Sequence, residues 1–139
     1  MKAAVPFRIA AVLLILFAAG HTYGFLHFQP PTPEGMAVRA AMTNVTFHVG
    51  GREHSYADFY RGFGLFVTAY LLFAAVLAWE LPRLLVTARD SFRVLSWAFL
   101  AVQVASVALC GIFFAAPQAL FSMLVALCIA AGILFARSP

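Results

Sequence analysis

Four histidines, His21, His27, His48 and His54, fall in the first 54 residues of a 139-residue chain. The imidazole changes charge near neutral pH and is a frequent metal ligand, so such a grouping invites proton transfer or metal binding. The spacing argues against a metal. No HxxxH or HExxH pair occurs, and His21 and His27, six apart, project to different quadrants of a helix. Paired haem ligation lacks a partner, because no second apolar segment carries a histidine. Cys110 and Cys128 form no CxxC and read as small core residues, not a redox pair. What remains is proton transfer, with His21, Tyr60 and Asp58 as the candidate catalytic set. Tyr23, His27, Phe47, Arg61, Gln103, Cys110 and Gln118 are the candidate ligand contacts.

These residues sit in a chain whose composition constrains what can position them. It is 64% apolar, 10% charged, and carries a net charge of +4; its mean hydropathy is +0.95. Ordinary soluble domains are about 45–50% apolar and about 25% charged. A water-soluble enzyme and a nucleic-acid binder are therefore excluded as readings, and the positive charge points to lipid contact. A spanning helix needs about 20 mostly apolar residues to cross about 30 Å of hydrocarbon. Four segments qualify: about 9–28, 56–79, 92–114 and 117–135. The expected fold is all-α, a single domain over 1–139 forming an integral membrane four-helix bundle. One long outer loop, 29–55, has room for a short helix and a small β-hairpin.

Basic residues set the expected orientation. With the N-terminus inside, Lys2, Arg8, Arg83, Arg89, Arg93 and Arg137 are cytoplasmic, and only Arg39, Arg52 and Arg61 are outside. Both termini are then cytoplasmic. Lys2, Arg8, the apolar run to Phe17 and the small residues Ala18, Ala19 and Gly20 also resemble a secretory signal. Apolar character continues through Phe25, Leu26 and Phe28, so a retained first helix is expected. The alanine- and arginine-rich composition is of a bacterial type, which places the chain in a bacterial inner membrane and leaves the Asn44-Val45-Thr46 sequon without a role.

The outer loop carries its own signals. Pro30, Pro31 and Pro33 end the first helix. Gly35 to Asn44 fits a surface helix with Met36, Val38 and Ala40 toward the membrane. Residues 45–49 alternate apolar and polar before Gly50-Gly51, which predicts a hairpin with Phe47 and Val49 turned onto the bundle. Ser55-Tyr56-Ala57-Asp58 has capping-box spacing, and Asp58 and Arg61 are placed to pair.

Polar residues within the spans collect toward the loop end, where they would face the bundle interior. Ser96, Gln103 and Cys110 recur every seventh residue and form one stripe; Gln118 and Ser122 share a face. The expected site is an outward cavity with a polar floor and a wall of phenylalanines, Phe17, Phe25, Phe28, Phe63, Phe66, Phe113, Phe114 and Phe121, capped by the 47–56 segment. A lipophilic small molecule such as a quinone, isoprenoid or sterol-like lipid would fit it. The same Ser, Thr and Gln residues also serve as hydrogen-bond glue between helices. His21 could equally be held by one bond to Gln103, Tyr60 or a backbone carbonyl. Gly20 and Gly24 form a GxxxG pair, with Gly62 and Gly64 at a similar height. That pattern suits close helix packing, a homodimer face, or docking into a larger membrane complex as a non-catalytic subunit. Transport has no evident pathway, since no charged relay crosses the midplane.

The stretches Gly20-His21-Thr22-Tyr23-Gly24-Phe25 and Ser55-Tyr56-Ala57-Asp58-Phe59-Tyr60-Arg61-Gly62-Phe63-Gly64 resemble a group of small bacterial four-span proteins. More loosely, the layout is similar to DoxX-like membrane proteins, and more distantly to sterol-isomerase and sigma-two-receptor bundles. The resemblance implies a four-span fold. The sterol-isomerase type uses buried acids and a histidine to move a proton beneath a lipophilic substrate. Here Asp58 is at the outer mouth and Glu80 at the inner interface, so the resemblance transfers no catalytic residue.

Overall fold

The computed structural model describes residues 2–114 and 116–137. Helix α1 covers Ala4–His27, α2 Pro33–Asn44, α3 Tyr56–Thr87, α4 Arg89–Phe113 and α5 Ala116–Arg137; strands β1 (Thr46–Val49) and β2 (Arg52–Ser55) lie between α2 and α3. The fold is all-α apart from this two-stranded sheet. Helices α1, α3, α4 and α5 contain 24, 32, 25 and 22 residues and are each apolar enough to cross a membrane. At about 1.5 Å per residue even the shortest is about 33 Å long, which exceeds the hydrocarbon layer. Large side chains such as Phe66, Phe73 and Ile112 are mostly exposed, a surface that water would not tolerate and lipid accepts. The protein is an integral membrane protein.

The chain groups into two compact units, one formed by residues up to 17 together with those from 71 onward, the other by 18–70. The first unit takes a segment from each of the four long helices. Its buried core includes Phe7, Leu14, Leu71, Ala78, Leu81, Phe99, Val125, Ile129 and Ile133. Phe7 meets Phe92 edge-on, with centroids 5.8 Å apart, and Phe17 stacks on Phe121 at 5.6 Å. Ser96, Gln103 and Ser122 are buried in this unit, so the polar stripe of α4 turns inward. Arg8 lies over Trp79 and Arg137 over Trp97, each guanidinium 5.3 Å from a ring centroid.

Helix α3 continues eight residues beyond the expected end at Trp79, through Pro82. Proline inside a helix removes a hydrogen bond and costs about 3 kcal/mol. Here Ala78 and Leu81 are wholly buried and Glu80 pairs with Arg83 one turn on, so packing carries the helix past its breaker. Helix α1 likewise begins five residues earlier than its apolar run, because Ala3 and Phe7 are core residues.

In the second unit, α2 starts with Thr32 as N-cap, its hydroxyl accepting from the Gly35 amide at 3.1 Å, with Pro33 following. The hairpin pairs Thr46 with Ser55 and Val49 with Arg52. Gly50 and Gly51 turn it at φ 59° and 76°, the two left-handed positions of the type I′ turn that glycine supplies without steric cost. The capping box forms as the spacing predicts. The Ser55 amide and hydroxyl both donate to Asp58 Oδ2 (2.9 and 2.8 Å), and the Asp58 amide donates to Ser55 Oγ (3.1 Å).

Candidate binding cavity

The start of α3 separates two tasks by helical period. At about 100° per residue, Tyr56, Phe59 and Phe63 share one face, and Ala57, Tyr60, Arg61 and Gly64 another. On the first face Phe47 packs against Tyr56 and Phe59, with centroids 4.9 and 5.1 Å away. Val49, expected to turn inward as well, is half exposed; it sits at the hairpin tip beside the glycines, beyond the root where Phe47 docks.

The second face of α3 borders a cavity of about 400 Å³. Its other walls are the end of α1 (Phe25, Leu26, Phe28), Pro30, and one side of α2. On α2 the lining positions are Gly35, Val38, Arg39, Met42 and Thr43, a three-and-four spacing that marks a single helical face. Val38 thus borders the cavity, whereas Met36 and Ala40 lie elsewhere on α2. The cover is α2, not the 47–56 segment. Two contacts hold it. Arg39 Nη1 donates to the Phe28 carbonyl, which follows the end of α1. A Cβ on Gly35 would come within 2.6 Å of Pro30 Cβ, so glycine is what permits the approach.

Below the cavity, α1 and α3 are fastened by polar groups. His21 Nε2 lies 3.1 Å from the Gly64 carbonyl oxygen. A carbonyl only accepts, so Nε2 donates. Thr68 Oγ1 also reaches Gly64 O, at 3.2 Å, and lies 2.7 Å from Thr22 Oγ1, which in turn reaches Ala18 O at 2.8 Å. The Phe25 ring crosses Gly64 so closely that a Cβ there would be 2.7 Å from it. Close packing therefore holds at Gly64 alone among the glycines at this height. Gly20, Gly24 and Gly62 have open space where a Cβ would be.

The candidate residues divide accordingly. Tyr60 and Arg61 line the cavity, and neither makes a hydrogen bond or ion pair within the described residues. Asp58 and Arg61 do not form the expected ion pair: Asp58 is taken up by the Ser55 cap. His21 is half-buried outside the lining, its ring 5.1 Å from that of Phe25. Tyr23 is exposed and stacks on His27 at 4.4 Å, while His27 Nδ1 donates to the Tyr23 carbonyl at 2.9 Å. Of the expected phenylalanine wall, Phe25 and Phe28 contribute; Phe63, Phe66, Phe113 and Phe114 are exposed outward. Gln103, Cys110 and Gln118 belong to the other unit. There Gln103 is buried, Cys110 Sγ lies 3.5 Å from Ser122 Oγ, and Gln118 Oε1 is buried without a hydrogen-bond partner among the described residues.

Beyond Tyr60, Arg61, Phe25 and Phe28, no lining residue is among the expected contacts; for those on α2 the helical periodicity holds the signal. Among the described residues no three His, Cys, Asp or Glu side chains gather as a metal ion would require. Replacing His21 with alanine removes one interhelical bond while Thr68 still serves Gly64 O. We expect faster amide exchange confined to 18–27 and 60–68, with the helices of the first unit unchanged. Loss of protection throughout the chain would show that His21 holds far more than this local junction.

Comparison with protein-family models, curated proteins and solved structures finds no match to this chain.

Proposed function

We propose that this is a membrane-embedded binding protein whose cavity beneath α2 takes a lipophilic small molecule with a polar end, such as a quinone, an isoprenoid or a sterol-like lipid. The observation that supports it most is the lining itself: an apolar pocket of about 400 Å³ into which Tyr60 and Arg61 bring uncommitted donors. Ligand sites have this character, mostly apolar walls with a few polar groups that fix orientation. The cavity lies where α1 ends and α3 begins, the level at which an amphiphile keeps its polar end near water. In this reading both termini are cytoplasmic, in a bacterial inner membrane, and the cavity opens outward. The resemblance to DoxX-like proteins belongs to the same proposal.

Binding is favoured over proton transfer by where the acid and the base sit. His21 donates to a backbone carbonyl and Asp58 caps a helix, so neither is presented to the cavity. Arg61→Gln and Tyr60→Phe test the reading. Tyr60→Phe removes a donor from the polar end and Arg61→Gln removes the charge and the guanidinium fork; loss of one neutral hydrogen bond is worth about 0.5–1.5 kcal/mol, and of a charge-assisted one more. We expect occupancy of the co-purifying molecule, read by native mass spectrometry, to fall most in Arg61→Gln. Unchanged occupancy in both would remove these residues from the site.

A second reading, assembly as a non-catalytic subunit or homodimer, is favoured by the open space over Gly20 and Gly24. A GxxxG surface lets two backbones approach closely. If it is used, Gly24→Leu will abolish a crosslinked dimer in native membranes. A dimer that persists excludes this face.

A further inference from the structure

A second cavity, of about 410 Å³, lies wholly within the first unit, where α4 begins and α5 finishes. Arg89 and Arg93 from the first turns of α4 and Arg137 from the last turn of α5 line it, over Phe92, Ser96 and Trp97. Among the described residues that line it, three guanidiniums face one carboxylate. That carboxylate, Asp90, is 3.7 Å from Arg93 Nη2 and its side chain is 97% exposed, so water screens the pair and leaves the cavity cationic. Arg137 rests over the Trp97 ring, which holds the plane of the guanidinium while leaving its N–H edges available. The floor is dry: Phe92 is buried, and the wholly buried Ser96 spends its hydroxyl on the Arg93 carbonyl at 3.3 Å.

A cationic rim above an apolar floor, at the ends of two spanning helices, matches one chemistry in particular. Guanidinium forks bind phosphate oxygens bidentately, and basic pockets between spanning helices at the membrane surface select anionic head groups. Tryptophan beside the arginines marks the interfacial depth at which lipid phosphates lie. We propose that this cavity seats the phosphate of an anionic membrane phospholipid, with Arg89, Arg93 and Arg137 on its oxygens and the glycerol end of the lipid over Phe92 and Trp97. The site is separate from the cavity beneath α2 and does not depend on it.

The full-length protein would be reconstituted in vesicles of equal phosphatidylglycerol and phosphatidylcholine, extracted gently, and its retained lipid read by native mass spectrometry. Phosphatidylglycerol should be retained over phosphatidylcholine by about tenfold, a preference that the combined change Arg89→Gln, Arg93→Gln and Arg137→Gln brings near parity. Arg83→Gln, which removes a charge outside the lining, should leave the preference in place. If the triple change prevents assembly, Arg137→Gln alone should still lower the ratio by about threefold. Equal retention of the two lipids by the unaltered protein would overturn the proposal. So would an Arg83→Gln effect as large as that of the lining arginines, because bulk charge would then account for the preference. Binding of inorganic phosphate to the detergent-purified protein, with no selectivity among lipids, would assign the arginines to a free anion and likewise overturn the lipid site.

Discussion

Gly132→Val will strongly destabilise the packing of the first unit. Gly132 is buried on α5, and the ring of Phe7 from α1 lies over it: a Cβ would be 2.5 Å from Cε2 and 2.6 Å from Cδ2. Such distances require movement, and Phe7 has nowhere to go, since it is wholly buried and already edge-on to Phe92. Overpacking of a filled core costs about 1–3 kcal/mol and sometimes more, and valine adds two methyl groups beyond the offending Cβ. In a bilayer the effect is undiluted, because helix association there rests on packing and not on removal of apolar surface from water. A reversible unfolding measurement in mixed micelles should show the loss. The compensating double variant Gly132→Val with Phe7→Ala should recover part of it, because the truncation frees the space that valine needs. A double variant at least as unstable as the sum of the two single changes would show that Phe7 and Gly132 are not the contact that limits closure.

Val38→Trp will empty the cavity beneath α2 of whatever it carries. Val38 lies on the lining face of α2 with Gly35, Arg39 and Met42, and α2 has no buried residue whose packing the change would disturb. The indole would project into an existing space, unlike the overlap at Gly132, so stability should change by less than about 1 kcal/mol. Thermal melting therefore stays near that of the unaltered protein while the co-purifying molecule is lost. Met36→Trp, on another side of the same helix, is the matched control and should retain it. Equal occupancy in Val38→Trp and Met36→Trp would mean that the space is not where a ligand sits.

Much of the architecture is legible in the residues because the bilayer imposes so simple a rule. Four apolar runs of sufficient length, three prolines after the first, a Gly-Gly pair between alternating residues, and Ser55 three residues before Asp58 each have one favourable local solution, and each is adopted. Helix ends were less legible because packing, absent from a local pattern, decides them: Leu81 carries α3 past Pro82, and Phe7 brings the start of α1 forward. The lining of the candidate cavity was partly legible. Tyr60 and Arg61 were reached from their types and depth. Asp58 and His21 were equally suggestive, and each takes the structural role that the sequence also offered it, a capping box with Ser55 and a bond to a backbone carbonyl. The role of α2 as cover escaped because its lining residues are a glycine, a valine, an arginine, a methionine and a threonine, which acquire meaning only from sharing a face.

The most direct test of the central claim is the mass of the intact protein released from native membrane particles. Beside any phospholipid held at the arginine-lined cavity, we expect one further stoichiometric adduct of a mass that no phospholipid explains, present in the unaltered protein and in Met36→Trp but absent from Val38→Trp. A bare chain, or one that carries only ordinary phospholipid in all three, would contradict that claim.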